Sequence, residues 1–241
     1  MNNTDLISQT FAAENSQNYN LIIRELSDGF VFEVNEAASG QRVAIRTTSQ
    51  KDFEKLQDEP LLQLVYNQAK IITKNLPFAF VPKEFFDEEQ AHFYLPITKV
   101  QQKRANVEIM EIEKFGVAGI FNYREKIEIQ NIISEKIVVS HPLFELLQTA
   151  ESAVEKAIFV EIASQNMYIV AVDGAKLLSV NAFEVKTNED IAYFLLLTVN
   201  QLNFDVNEVV IEIICEGNKA LLTLLKKYCL ITHHEINRVK L

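Results

Sequence analysis

Three short stretches carry the residue types that chemistry needs. Glu25-Leu26-Ser27-Asp28-Gly29 gathers two acids, a hydroxyl and a glycine. Glu161-Ile162-Ala163-Ser164-Gln165-Asn166 repeats the acid and the hydroxyl without a glycine. Cys215-Glu216-Gly217-Asn218 ends an apolar run with one glycine and another acid. An acid or a hydroxyl offers oxygen for a hydrogen bond, and a glycine lets backbone N–H groups approach an anion. Each stretch also has a reading without chemistry. Asp28-Gly29 is a favoured two-residue hairpin turn. Glu161 is a strand acid facing solvent or a cleft, and Gly217-Asn218 is a helix start.

Other chemistries find little support. The chain of 241 residues has only 6 glycines. None forms the GxxxxGK[ST] of a P-loop or the GxGxxG of a dinucleotide turn, so both nucleotide signatures are excluded. His233-His234 is the only histidine pair, and neighbours on a strand point to opposite faces, which chelates one metal poorly. No metal site is expected. Cys215 and Cys229 are expected to be buried thiols of a reducing compartment. The one basic run, Lys99–Arg104, is expected to be a solvated loop. Net charge is −10, which disfavours nucleic acid and anionic membranes. No Lys or Arg precedes Arg24 and no apolar run approaches ~18 residues, so neither a signal peptide nor a membrane span is expected. The expected location is cytoplasmic.

The elements that must position these turns follow a pattern. Leu21–Leu26, Phe30–Val34 and Val43–Thr47 read as a three-stranded meander turning at Asp28-Gly29 and Gly40. A helix is expected from Pro60, with Leu61, Val65, Ala69 and Ile72 at helical spacing. Phe78–Val81 reads as a strand, and Pro82 as the start of a helix carrying Phe85 and Phe86. The four phenylalanines there are expected to be core. Val107–Glu113 and Val117–Phe121 read as strands, Tyr123–Ile133 as a helix, Ile137–Val139 as a strand, and Pro142 as a helix start. Then the opening pattern returns. Ile158–Ile162, Met167–Val172 and Leu177–Phe183 form a second meander with turns at Ser164–Asn166 and Gly174. Thr187 and Asp190 have capping-box spacing before a helix. Val209–Cys215 is a strand, Asn218 caps a helix, and the tail from Ile231 reads as a last strand. The chain therefore divides into a loose terminus, 1–18, and two lobes, 19–153 and 154–241. The tail is free to pack back on the first lobe.

Tandem βββαβα halves resemble the actin-like ATPase fold, an α/β ribonuclease H-like architecture of two lobes with a cleft. The wording is also similar to an uncharacterised bacterial family described as actin-like. The similarity covers roughly residues 19–230 and is strongest in YNLIIRELSDGFVFEV, FAFVPKEFFDEEQAHFYLPI, HPLFELL and LLSVNAFEVKTNEDIAYFLLLTVNQLNFD. The resemblance implies that ATP would lie between the lobes, held by two Asp-x-Gly hairpin loops and a glycine-rich third loop. The matching positions here are Ser27, Asp28 and Gly29, then Glu161 and Ser164, then Gly217. The first loop lacks the family order, the second lacks glycine, and the third has one glycine where the family usually has two. Glu161 falls where the second aspartate would be. Two readings follow. One is a degenerate, non-catalytic scaffold that binds a protein partner or a second copy of itself. The other is a switch that binds ATP with magnesium and hydrolyses it weakly or not at all. A metal-dependent nuclease or sugar kinase of the same architecture is a third, disfavoured for polyanionic substrates by the acidic charge.

Overall fold

The computed structural model describes residues 6–26, 29–48, 56, 59–73, 78–95, 106–123, 137–163, 165–215 and 218–235. The first meander is as expected. Strands β2 (Tyr19–Glu25), β3 (Phe30–Glu36) and β4 (Arg42–Thr48) pair antiparallel in turn, preceded by the short strand β1 (Leu6–Ile7) on the outer side of β4. Residues 6–18 thus lie against the first sheet, with the Phe11 ring 5.5 Å from that of Tyr19.

The expected helix over 60–72 is not formed. Pro60–Gln63 makes one 3₁₀ turn, capped where the Glu59 side chain accepts from the Leu61 N–H. Gln68–Ile72 is instead a strand, β5, parallel to β2. A strand buried among parallel neighbours needs no alternation, so Ala69 and Ile72 matched a helical spacing by coincidence.

An excursion follows in place of the next helix. Strands β6 (Phe78–Pro82), β7 (Asn106–Ile112) and β8 (Val117–Tyr123) form a separate antiparallel sheet in the order β6-β8-β7. Lys83–Phe85 is a 3₁₀ turn and not the start of a helix, because only Pro82 signals one and no helical apolar stripe follows. Phe85 is exposed there, although Phe78, Phe80 and Phe86 pack inward. Tyr123 ends β8; the rest of the helix expected to Ile133 lies outside the described residues, as does the basic run 99–104.

Strand β9 (Ile137–Ser140) returns to the first sheet parallel to β5, and helix α1 (Pro142–Ala150) follows. The second half repeats this plan with fewer departures. It contains β10 (Lys156–Ala163), β11 (Asn166–Asp173), β12 (Lys176–Glu184), α2 (Asn188–Gln201), β13 (Val210–Cys215), α3 (Lys219–Leu225) and β14 (Thr232–Glu235). Gly174 turns the chain with φ +57°, a conformation that L side chains rarely adopt. Both members of the Thr187–Asp190 capping box are present, and the Asn218 side chain caps α3.

The two sheets have one topology. Their orders are β4-β3-β2-β5-β9, with β1 added outside β4, and β12-β11-β10-β13-β14. Helix α1 joins them. Leu143, Phe144, Leu146, Leu147 and Ala150 share a core with Leu21, Ile23 and Phe32 of the first half and with Phe159, Tyr168 and Val170 of the second. The opposite face of the second sheet packs against α2 and α3 through Ile158, Val160, Leu195, Leu221 and Leu225. Cys215 and Cys229 are buried thiols in that second cluster.

Candidate functional site

Parallel strands β2, β5 and β9 end side by side, and ligands of open α/β sheets bind outside such carboxyl ends. By register Arg24, Ile72 and Ser140 form one row across these ends. Arg24 reaches out of the first sheet and Glu161 of β10 reaches toward it. The Arg24 Nη1 donates to Glu161 Oε1 at 2.7 Å, with the two side chains 18% and 1% exposed. The residues are 137 positions apart. The first turns of the two halves, Ser27–Gly29 and Ser164–Asn166, are offset by the same distance in sequence, so the pair joins equivalent strands of the repeat.

Burial pushes the Glu161 carboxyl above the usual carboxylate range; the Arg24 guanidinium opposes this, and the nearby Glu145 carboxylate adds to it. Among the described residues Glu161 Oε2 has no hydrogen-bond partner. A second charged group adjoins. Glu145 of α1 accepts at Oε1 from Ser140 Oγ at 2.6 Å and from Lys70 Nζ at 3.1 Å. Lys70 also stands on the row face of the sheet, two residues before Ile72, so one face supplies Arg24, Lys70 and Ser140.

His141 completes the set. Its Nδ1 accepts from the Leu143 N–H at 3.2 Å, which caps α1 and leaves the proton on Nε2. Its ring lies 5.2 Å from Phe78 and 5.3 Å, edge-on, from Tyr168. Burial in this aromatic nest pushes its pKa down to about 3, so the imidazole is neutral. His141 Nε2 and Thr73 Oγ1 are buried without hydrogen-bond partners among the described residues.

Of the residues expected at the site, Glu161 is at the centre of this cluster. Gly29 is buried at the end of the first hairpin, where its carbonyl accepts from the Leu26 N–H at 2.9 Å. Ser27, Asp28, Ser164 and Gly217 lie outside the described residues. Sequence reasoning missed Arg24, Lys70, Ser140 and Glu145. The signal for Arg24 was available: it is the residue that the repeat offset sets against Glu161. Among the described residues no group of three or more His, Cys, Asp or Glu side chains could hold a metal ion. Chemically, the cluster neutralises itself. The arginine that could bind an anion is held by an internal carboxylate, and displacing that carboxylate leaves it buried and unpaired.

Comparison with known proteins agrees with the topology. A model of a protein family of unknown function, DUF3822, matches residues 8–230. The chain belongs to this family. A Bacteroides thetaiotaomicron protein with an actin-like ATPase fold and unknown function is 22% identical, with a TM-score of 0.72 over 95% of this chain and 94% of that one. A PilM–PilN type IV pilus biogenesis complex gives 11% identity and a TM-score of 0.59 over 90% and 88%. The cytoplasmic domain of EpsL, an inner-membrane component of the Vibrio cholerae type II secretion system, gives 10% and 0.50 over 87% and 94%. A search of curated proteins returns no match. The family member described here has the actin-like ATPase fold. No helix among its described residues is long and apolar enough to cross a membrane.

Proposed function

We propose that this DUF3822 protein is a degenerate actin-like protein that works in the cytoplasm as a non-catalytic protein-binding scaffold. The observation that carries the reading is the Arg24–Glu161 ion pair. By the resemblance, Glu161 occupies the position of the acid that serves metal and phosphate, and here its charge is spent on an arginine of the other half. Two relatives in fold support the partner half of the reading. One was solved as a complex of PilM with PilN, and one is a component of a secretion system. With a net charge of −10, the partner is a protein and not a nucleic acid. The two lobes are 19–153 and 154–241, and residues 1–18 precede them.

The test is nucleotide binding. A ligand that binds only the folded state raises stability, by about 2.7 kcal/mol at a hundred times its dissociation constant. The expected outcome with millimolar ATP and magnesium is no rise in melting temperature and no heat in titration calorimetry. A saturable rise would support the ATP-switch reading instead and would direct attention to Ser27, Asp28, Gly29, Glu161, Ser164 and Gly217 as its binding residues.

A further inference from the structure

Two exposed phenylalanines stand on the outer side of the excursion sheet. Residues 83–95 cover one face of that sheet, where Phe86, Ala91, Tyr94 and Leu95 pack with Ala79 and Val81 of β6 and Ile120 of β8. The alternate positions Phe78, Phe80 and Phe121 point the other way, to the core that holds α1. The segment therefore lies on the side turned away from α1. Phe85 and Phe93 are 69% and 72% exposed there. Tyr94 ties their two stretches together, its hydroxyl donating to the Phe85 carbonyl at 2.9 Å. Glu84, Asp87, Glu88 and Glu89 of the same segment are all exposed. Its one lysine, Lys83, is held by Glu111 and Glu113 at 2.6 Å each, so it offsets none of the four.

The opposite composition marks the far side of the molecule. Residues 218–234 hold three lysines and no acid, in a chain of net charge −10. Lys219 and Lys226, seven positions apart, share the outer face of α3, and Lys227 adjoins them. All three are exposed, and none enters an ion pair among the described residues. Tyr228 and Leu230 are exposed just beyond. Leu221 and Leu225 set α3 on the Ile158 and Val160 face of the second sheet. Helix α1 takes the other face, with Phe159 and Tyr168. The layers therefore run from segment 83–95 through the excursion sheet, α1 and the second sheet to α3. One copy cannot bring its own two patches together.

We infer that copies of this chain associate head to tail, the lysine patch of one seated on the phenylalanine and carboxylate patch of the next. Charge complementarity selects this occupant. Four carboxylates and three ammonium groups, all without ion pairs among the described residues, face each other across the contact. Tyr228 and Leu230 bring apolar surface to the two exposed rings, and a lysine over a phenylalanine face is attracted by the ring. Two acidic chains repel at long range, and this local match offsets that repulsion. Each copy keeps one patch free, so the contact is heterologous and passes on to a third copy. The inference names the partner within the scaffold reading, and it uses no residue of the Arg24–Glu161 site.

Sedimentation velocity on the full chain, from micromolar to submillimolar concentration, tests this. The expected result is a mean mass that rises with concentration past that of a dimer and falls back in about 0.5 M salt, where exposed charges are screened. Glu88→Lys with Glu89→Lys, and separately Lys226→Glu with Lys227→Glu, should each weaken association about tenfold, because attraction becomes repulsion. These side chains are exposed, so circular dichroism should show unchanged folding. Mixing the two variant proteins should restore association, since the intact lysine patch of the first meets the intact carboxylate patch of the second. A chain that stays monomeric, a closed dimer, association indifferent to the reversals, or no recovery on mixing overturns the inference and leaves the scaffold reading standing. Nucleotide binding would do the reverse.

Discussion

His141 holds the helix that joins the two halves, and it does so only while uncharged. Its Nδ1 is committed to the Leu143 N–H, and its ring is enclosed by Phe78, Phe121 and Tyr168. The folded-state pKa of about 3 lies below the ordinary value of 6.5. The sign follows: between these values the unfolded chain binds a proton that the folded chain refuses. The stabilisation is complete above pH 6.5 and is lost as pH falls toward 3, at roughly 1.4 kcal/mol per pH unit. His141→Asn keeps a capping side chain without the titration. Urea midpoints measured from pH 7 to pH 4 should fall less steeply for the variant, by about one proton; equal slopes would refute the assignment. At this scale Pro142 made the helix start legible, because a first-turn proline is a local signal. The burial of His141 was not legible, because the rings around it come from three separate strands.

The excursion sheet shows how an element is placed by one missing side chain. Gly119 lies in the middle of β8, and a Cβ there would strike the Phe144 ring of α1 and lie 2.9 Å from Phe80. Its absence lets β8 press against the helix, where Phe144 meets Phe80 and Phe121 at centroid distances of 5.5 and 5.2 Å. Gly119→Ala should therefore destabilise the fold by about 1–3 kcal/mol, as overpacking does, measurable by chemical denaturation. A neutral substitution would mean that the helix can shift without cost. The same scale separates legible elements from illegible ones. The helices at Asn188 and Lys219 carry their own caps, Thr187 with Asp190 and Asn218, and both formed as read. Gln68–Ile72 carries no local mark of a strand. It is one because β2 and β9 stand on either side of it.

At the scale of the molecule, two similar sheets share a core and, among the described residues, one ion pair. Arg24 and Glu161 are the charged link between their first strands. Removing one partner of a buried pair strands the other, so Arg24→Ala should cost about 3 kcal/mol, the lower end of the usual range because the arginine is partly exposed. Glu161→Gln keeps a neutral acceptor and should cost less. Replacing both by apolar residues of similar size should be nearly neutral. Equilibrium unfolding of the three variants checks the order; an Arg24→Ala protein as stable as the parent would remove the pair from any role in joining the halves.

The sequence by itself determined the repeat, since meander strands, hairpin turns and helix caps are set by neighbours close along the chain. It also singled out Glu161 and the scarcity of glycine at the expected phosphate loops. Tertiary structure alone decided what Glu161 does. Its partner is 137 residues away, and its charge state depends on burial by both halves together with Arg24 and Glu145. Pairing across such a distance depends on how the two sheets meet through α1, and no local pattern encodes that.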